Sequence, residues 1–196
     1  MRRSRYNAAV QRRWLLLGLV FAMIAGVLGC WRYYSWRDHR FDPVILEAAR
    51  RYGVEPALVK AVVWRESWFN PNVHGRAGEL GLMQIRAAAA RDWATAEKIK
   101  PFSPEQLLDP LTNTLAGAWY LRKLLRRHQS ADNPLPYALA DYNAGRSHAL
   151  QWLKGVAATN SAAFIDRIEF PGTRKYVRAV LQRYEHYRPI FPEPTP

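Results

Sequence analysis

Residues 66–71 of this chain read Glu-Ser-Trp-Phe-Asn-Pro, and residues 81–85 read Gly-Leu-Met-Gln-Ile. Apolar residues at helical spacing lead into the first stretch, and its Asn-Pro pair ends the helix because proline disfavours the helical conformation in the residue before it. Glu66 therefore stands at a helix end beside Trp64 and Trp68. Loss of hydration there raises the pKa of the carboxyl. A carboxyl that stays protonated at neutral pH can serve as a general acid.

Further polar groups follow Glu66 in two places. A loop over residues 72–81 carries three glycines, and Gln84 just beyond it offers both a hydrogen-bond donor and an acceptor. Residues 140–145 read Ala-Asp-Tyr-Asn-Ala-Gly at a predicted helix end. They add the hydroxyl of Tyr142 and the amide of Asn143 to the candidate site.

Helical periodicity dominates the sequence from Phe41 onward. Alternating strand patterns are nearly absent, so we predict an all-α domain with a small irregular hairpin near the glycine loop. Asp42-Pro43, Ser103-Pro104 and Asp109-Pro110 are typical helix starts, with Asp42 as a cap and Pro43 in the first position. The predicted helices cover about residues 42–53, 56–69, 87–90, 110–128, 136–143, 147–154 and 174–187.

The three segments, in this order and at this spacing, resemble the transglycosylase SLT family, the soluble-lytic-transglycosylase relatives of goose-type lysozyme. The family pattern is E-S, then G-L-M-Q, then a Y-N-A-G block. The resemblance extends from about Phe41 to about Tyr187. It implies a lysozyme-like, all-α domain that acts on peptidoglycan glycan strands.

The resemblance implies that Glu66 is the single catalytic acid/base at the β-1,4 bond between N-acetylmuramic acid and N-acetylglucosamine. Most glycosidases use two carboxylates. Here Glu66 would protonate the leaving oxygen and then take the proton of the C6 hydroxyl as that hydroxyl attacks C1. The N-acetyl oxygen would stabilise the oxocarbenium charge. The expected product is a 1,6-anhydromuramic acid end, formed without water by a lyase.

The resemblance also implies four substrate-binding residues near Glu66. Ser67 would bond near the carboxyl or the N-acetyl group, or else bond only its own helix backbone. Gln84 would contact the sugar, or else brace its loop. Tyr142 would lie near the catalytic carboxyl with Asn143 beside it, a role compatible with capping a helix end.

A fifth substrate contact is expected in the C-terminal part of the domain. Residues 173–177 resemble the family's T-R-x-Y-V stretch, before which an acidic residue often contacts the substrate. Matching Thr173-Arg174 assigns Asp166 to that role, with Glu169 as the rival. If water were admitted, Asp166 or Glu169 would be the second carboxylate of a hydrolytic muramidase. A non-catalytic glycan-binding module is the third alternative.

The chain departs from the family pattern at two places. Glu79 stands in the glycine loop where a small residue is common, and Ile85-Arg86 is followed by alanines where a proline and a threonine are usual. Both changes fall on the loop and the start of the next helix. We therefore expect them to alter subsite specificity rather than the chemistry.

An uncharged stretch, residues 15–30, lies near the N-terminus between Trp14 and Trp31, where aromatic rings favour a membrane interface. With both tryptophans it has about 18 residues, near the lower limit for a spanning helix. The preceding arginines favour a cytoplasmic N-terminus. The predicted order is a basic segment 1–13, a transmembrane signal anchor 14–31, a linker 32–40, a catalytic domain 41–190 in the periplasm or cell-wall space, and a proline-rich tail 191–196.

Three alternatives to the anchor remain open. Residues 27–30, Val-Leu-Gly-Cys, loosely resemble a lipoprotein signal that would attach the chain through Cys30. A cleaved signal peptide lacks a well-placed small-x-small site, and a buried core helix disagrees with the basic flank. Because Cys30 is the only cysteine, an intramolecular disulfide is excluded.

The net charge of +13 favours anionic partners. About half of it falls in residues 1–40, and the modest excess on the remaining domain suits a cell-wall polymer or lipid head groups. No nucleic-acid-binding motif appears, so we expect no nucleic-acid partner. The five histidines lack ligand spacing, so we expect no metal and no cofactor. A partner in a cell-wall or secretion machine is left open.

Overall fold

The computed structural model describes residues 2–191, with side chains from Trp14 onward. The side chains of the predicted basic segment and, apart from Phe191, the predicted proline-rich tail lie outside the described residues. The chain divides into two compact units, Met1–Arg40 and Phe41–Pro196.

The first unit is a single helix, α1 (Arg2–His39). Within the described residues it contains the one stretch that is long and apolar enough to cross a membrane, judged by length and composition alone. None of that stretch is buried in the protein, so the core-helix alternative gains no support. The expected linker is not a separate segment, since residues 32–39 continue the helix.

The second unit is built from helices. They are α2 (Asp42–Tyr52), α3 (Pro56–Ser67), α4 (Ala87–Ala96), α5 (Pro110–Arg127), α6 (Pro134–Ala144), α7 (Arg146–Trp152), α8 (Ser161–Arg167) and α9 (Pro171–Tyr187), with 3-10 turns at Pro104–Leu108 and Gly155–Ala158. Residues 2–191 contain no strand, only isolated bridges that pair Leu80 with His74 and with Ile85. The predicted all-α fold and the small hairpin near the glycine loop are confirmed.

Helix α3 forms the centre of this unit. Every residue from Pro56 to Val63 is buried, which is expected of a helix surrounded by others. It packs against α2 and α9, while α5 packs against α2, α4 and α6, and α6 packs against α9. The last turn of α3, which carries Glu66, is thereby held by the core.

A buried ion pair changes one predicted helix start. Asp42 is the first residue of α2 instead of its cap, and Phe41 occupies the cap position. The Asp42 carboxylate accepts a hydrogen bond of 2.7 Å from the ammonium of Lys60, which is 1% exposed in the middle of α3. The carboxylate thus compensates the ammonium of Lys60, which would otherwise be an unpaired charge inside the core.

Other helix ends follow the sequence signals. Gly53 ends α2 in the left-handed conformation, with φ of 61°. The Asp109 carboxylate accepts from the amide of Thr112 at 2.8 Å and caps α5. The short helix α8 and the 3-10 turn before it were not expected, because such short elements carry no clear apolar period.

The loop between α3 and α4 is fixed to α5 by one buried amide. Asn113 accepts from the amide of Met83 at 2.7 Å and donates to the carbonyls of Leu80 and Leu107, both at 2.8 Å. Gly81 lies against this amide with φ of 74°, and a Cβ there would overlap Asn113. The G-L-M-Q segment therefore has one position relative to α5.

Candidate active site

Glu66 lies in the last turn of α3. Trp68 ends the helix in the left-handed conformation with φ of 51°, and its amide bonds to the carbonyl of Trp64 at 3.1 Å. The rings of Trp64 and Trp68 are 5.6 Å apart. The sharp chain reversal after Ser67 directs the following loop back past the carboxyl.

A cleft of about 340 Å³ opens beside Glu66. Its walls come from the end of α3, the loop before α4, the first turn of α4, α5 and the junction of α6 with α7. The lining includes Glu66, Glu79, Gln84, Arg86, Tyr142 and Asn143. One partly buried carboxyl therefore faces a space lined by carboxylate, guanidinium, amide and phenol groups.

The surroundings of Glu66 favour its protonated form. The pKa of Glu66 is raised to about 7, mainly by burial and to a smaller extent by the charge of Glu79. The Tyr176 hydroxyl and the guanidinium of Arg65 act in the opposite direction and lower this pKa. The balance leaves the group able to give a proton and to take it back near neutral pH.

Two tyrosines lie close to this carboxyl. Burial and the neighbouring Glu66 raise the pKa of Tyr142 and that of Tyr176 well above the usual value. Both therefore stay neutral. The Tyr142 hydroxyl donates to the carbonyl of Met83 at 2.7 Å. The Tyr176 hydroxyl is buried near Glu66, and no protein group lies at hydrogen-bonding geometry to it in the described part of the chain.

Ser67 and Gln84 take the more structural of their two expected arrangements. The buried hydroxyl of Ser67 donates to the carbonyl of Val63 at 3.1 Å, within its own helix. The amide nitrogen of Gln84 donates to the carbonyls of Val73 and Gly81, both at 3.0 Å. Gln84 nevertheless lines the cleft, whereas Ser67 is not among the lining residues.

The Y-N-A-G block is brought to the cleft beside the G-L-M-Q loop. Tyr142 and Asn143 line the cleft near the end of α6, and the Asn143 side-chain oxygen accepts from the hydroxyl of Thr173 at 2.8 Å. Gly145 follows with φ of 84° and separates α6 from α7. The chain reversal there leaves these two side chains beside Glu66.

Asp166 is not brought to the cleft. Its side chain is 74% exposed and pairs with Arg178 at 2.8 Å. The rival Glu169 is exposed as well, and neither residue lines the cleft. The assignment of either as a substrate contact stays a prediction without support from this geometry.

Three residues with polar side chains that line the cleft were not identified from the sequence as site residues. Glu79 and Arg86 were noted only as departures from the family pattern, and Tyr120 only as part of an apolar helix face. Tyr120 packs against Tyr142, with the ring centroids 5.6 Å apart. Among the described residues, no three His, Cys, Asp or Glu side chains come together in a way that could hold a metal ion.

The family model and the related proteins that match this chain all point to the same family. The family model described as "Transglycosylase SLT domain" matches residues 43–165. The soluble lytic murein transglycosylase of Escherichia coli K12 is 33% identical over 175 residues, which cover 86% of this chain and 26% of that protein. The membrane-bound lytic murein transglycosylase F of Desulfosudis oleivorans is 36% identical over 120 residues, 60% of this chain and 24% of that protein.

Solved structures share the fold. The lytic transglycosylase Slt of Pseudomonas aeruginosa, solved as an inactive mutant in which glutamine replaces a glutamate, superposes with a TM-score of 0.70 at 28% identity over 79% of this chain and 25% of that one. A soluble lytic transglycosylase in complex with bulgecin A gives 0.66 at 29% identity over 81% of this chain and 26% of that one. The chain spans about a quarter of the length of these relatives.

The matched residues include the segment that carries Glu66, the G-L-M-Q loop and the Y-N-A-G block, and all three border one cleft. The helical architecture agrees with that of the solved lytic transglycosylases. The chain therefore belongs to the transglycosylase SLT domain family.

Proposed function

We propose that this protein is a peptidoglycan lytic transglycosylase in which Glu66 acts as the single acid and base. The observation that carries the proposal is the position of Glu66 in the cleft, with a pKa of about 7. A group with this pKa exists in both protonation states near neutral pH, which a residue that first donates and then accepts a proton needs.

The proposed reaction proceeds in two proton transfers. Protonated Glu66 donates to the glycosidic oxygen, and that bond breaks while the N-acetyl oxygen of the muramyl unit stabilises the charge at C1. The ionised Glu66 then removes the proton of the C6 hydroxyl while the oxygen of that hydroxyl forms a bond to C1. The products are a new hydroxyl on the leaving sugar and a 1,6-anhydro ring, and Glu66 is again protonated.

Neutral hydrogen-bonding groups would support these steps. Tyr142 and Asn143 lie at the end of α6, Gln84 lies on the G-L-M-Q loop, and all three line the cleft. We propose these three as contacts to sugar hydroxyl and amide groups. Ser67 would act on Glu66 only through the end of α3, because its hydroxyl is bonded within that helix.

A hydrolytic muramidase is the second candidate function. The observation in its favour is the carboxylate of Glu79. This second carboxylate lines the cleft with Glu66. Hydrogen bonds from backbone amides and from Arg86 outweigh the effect of burial and lower the pKa of Glu79. A carboxylate stabilised in its charged form is a weak base toward water, which favours the lyase.

Mass spectrometry of the fragments released from purified sacculi tests the proposal. The full chain in detergent should release muropeptides one water lighter than hydrolysed fragments, and Glu66→Gln should release none. Products with free reducing ends would establish the muramidase instead. Binding to sacculi without any product from the wild-type protein would establish a glycan-binding module.

We further propose that residues 14–31 anchor the chain in the cytoplasmic membrane with the catalytic domain outside it. The support is the exposed apolar stretch of α1, the arginines before it and the relatives named membrane-bound lytic murein transglycosylases. Cys30→Ala should leave the protein in the membrane fraction until detergent is added. Release of this variant into the soluble fraction would establish lipid attachment through Cys30.

A further inference from the structure

The two departures from the family pattern include Glu79 and Arg86, and these two residues form one ion pair on the cleft wall. Leu80 and Ile85 form a two-way backbone bridge, with amide-to-carbonyl distances of 3.1 and 3.0 Å. The residues just outside that bridge, Glu79 and Arg86, are therefore brought side by side. One oxygen of the Glu79 carboxylate accepts from Nε of Arg86 at 2.8 Å and from Nη2 at 2.7 Å.

The Glu79 carboxylate is fully engaged by the protein. Its second oxygen accepts from the amide of Ala77 at 3.0 Å, and its side chain is only 19% exposed. Gly75 packs directly beneath it, and a Cβ on Gly75 would overlap the carboxylate. Glu79 is thus a fixed, ionised group with little capacity left to bind a ligand.

The guanidinium of Arg86 is held in position by Glu79, but some of its hydrogen-bond donors have no acceptor. A guanidinium has five N–H groups, and Glu79 engages only the edge formed by Nε and Nη2. The side chain is 64% exposed and lines the same cleft as Glu66. In the described part of the chain, no protein group accepts from Nη1, so the outer edge of the guanidinium, with one N–H of Nη1 and one of Nη2, stays available to a ligand.

We propose that the Glu79–Arg86 pair is a carboxylate-binding element, in which Glu79 positions the guanidinium and Arg86 binds a carboxylate of the peptidoglycan strand. This inference rests on the proposed function. Planar guanidinium and carboxylate groups form paired, charge-assisted hydrogen bonds, and a prepositioned fork loses less entropy on binding. The element would select muramyl-containing strands over neutral N-acetylglucosamine polymers, which carry no carboxylate.

A carboxylate occurs at two places on the strand. One is the lactyl group of a muramyl unit without its peptide, and the other is the peptide stem, whose attachment turns the lactyl carboxylate into an amide. Binding to three soluble probes of equal length distinguishes these sources: a peptide-free glycan, the same glycan with stems, and a neutral chitin oligosaccharide. The full chain in detergent carries Glu66→Gln, so that no probe is cleaved.

Arg86→Gln should weaken binding of one carboxylate probe by about tenfold, the size typical of a charge-assisted hydrogen-bonded pair, and leave chitin binding unchanged. The probe that loses affinity identifies the source. Arg91→Gln is the matched control, since Arg91 is an exposed arginine of α4 outside the cleft lining. Glu79→Gln should weaken the same probe by about threefold, and it should add nothing to Arg86→Gln if Glu79 acts only through Arg86.

Equal losses on all three probes, no loss on any, or the same loss in Arg91→Gln would overturn the proposal. Arg86→Lys keeps the charge without the fork and should recover less than half of the lost binding energy; full recovery would reduce the element to a point charge. Cleavage of sacculi by the wild-type protein reports separately on the proposed function. A protein that cleaves normally but shows no Arg86 effect refutes the carboxylate element alone.

Discussion

At the scale of single residues, the cleft sets opposing influences on one carboxyl. Burial and Glu79 raise the pKa of Glu66, while Tyr176 and Arg65 lower it. Neighbouring groups on different elements therefore tune the same proton. The consequences are measurable as pH dependence of both activity and stability.

The alkaline side of the pH profile should report the pKa of Glu66. Because the proposed mechanism begins with protonated Glu66, activity should fall as pH rises through about 7. Tyr176→Phe removes a group that lowers this pKa, so the alkaline limb should move upward by about half a pH unit. Initial rates on solubilised peptidoglycan measure it.

Tyr137→Phe is the control for that shift. Its hydroxyl is also buried without a protein partner, but Glu66 is not among the groups that influence it. The two variants remove the same atom from similar depths. A limb that moves downward in Tyr176→Phe, or equally in both variants, would contradict the proposed balance.

The raised pKa should also destabilise the folded protein at alkaline pH. Between about 4.5 and 7 the folded state binds more protons at Glu66 than the unfolded state does, so stability falls as pH rises through this window. Glu66→Gln removes the effect and should be more stable than the wild type by up to about 3 kcal/mol at pH 8, with no gain below about pH 4. Urea unfolding at both pH values measures it.

The exposed Glu169 provides the comparison for that gain. Glu169→Gln removes a carboxylate of the same size outside the cleft. It should follow the wild-type stability within about 0.5 kcal/mol at both pH values. If Glu66→Gln raised the free energy of unfolding equally at both pH values, ionisation of the Glu66 carboxyl would not be the cause of the gain.

At the scale of elements, α5 and α6 place the groups that face Glu66. Asn113 of α5 holds the G-L-M-Q loop, and the end of α6 presents Tyr142 and Asn143. The residue before them, Asp141, is fully buried and lies 3.0 Å from Arg127, 3.5 Å from Arg146 and 3.6 Å from His128. The two walls of the cleft therefore depend on buried polar contacts between helices.

Removing the Asn113 side chain should loosen the loop. Asn113→Ala deletes three buried hydrogen bonds and should destabilise the fold by about 3 kcal/mol, with loss of most activity. Lys123→Ala, on the exposed part of the same helix, should change stability by less than about 0.5 kcal/mol. Thermal unfolding and rates on peptidoglycan compare them; equal stability of the two variants would exclude the bracing role.

Asp141 and its three basic neighbours, Arg127, Arg146 and His128, should contribute stability whose pH dependence is opposite to that expected from Glu66. Burial opposes its ionisation, but the neighbouring His128, the hydrogen bond and charge of Arg127 and the charge of Arg146 outweigh burial and lower its pKa. Its contribution is present above the ordinary carboxyl pKa and is lost as pH falls. Asp141→Asn should cost about 3 kcal/mol at pH 7 and much less at pH 3.

Unfolding of Asp141→Asn at both pH values measures this contribution, beside Asp166→Asn. Asp166 also pairs with an arginine, but at an exposed site. Its replacement should change stability by less than about 0.5 kcal/mol. A pH-independent loss in Asp141→Asn would assign the effect to packing instead of charge.

The sequence predicted the parts of this site that lie within one segment. The helix that carries Glu66, the loop with Gln84 and the block with Tyr142 and Asn143 all follow from local signals. The Glu79–Arg86 pair could not be predicted, because it depends on the bridge between Leu80 and Ile85. Asp166 was assigned by matching a short motif, and the intervening helix α8, which the sequence did not signal, carries it to an exposed site.

At the scale of the whole molecule, the chain consists of two units with separate internal contacts. The core of the second unit runs from Phe41 to Phe191 and contains the entire cleft. The residues that line the cleft all belong to this second unit in the part of the chain with described side chains. The proposed membrane anchor and the proposed catalytic cleft therefore belong to different units of the chain.

Residues 41–196 should consequently fold and act without α1. We expect the same unfolding temperature as the full chain in detergent, within about 3 °C, and the same rate per molecule on soluble glycan strands. Calorimetry and product release measure these quantities. Rates on sacculi are a poor test here, since anchoring changes access to an insoluble substrate.

Loss of both folding and activity on removal of residues 1–40 would contradict this division. Loss of activity alone would assign α1 a direct role in the reaction. Deletion of residues 1–13 serves as the matched truncation, since it keeps the apolar stretch and removes only the arginine-rich flank.

The absence of a Cβ at Gly75 links the evolution of three positions. A carboxylate fits at position 79 only above a glycine at 75, and the arginine at 86 neutralises that carboxylate. Replacing the glycine at 75 produces a clash, replacing the arginine at 86 leaves the carboxylate at 79 unpaired, and replacing that carboxylate leaves the guanidinium without the group that positions it. These positions should therefore covary as a unit across related chains, and their joint loss should mark the branches that bind a different strand.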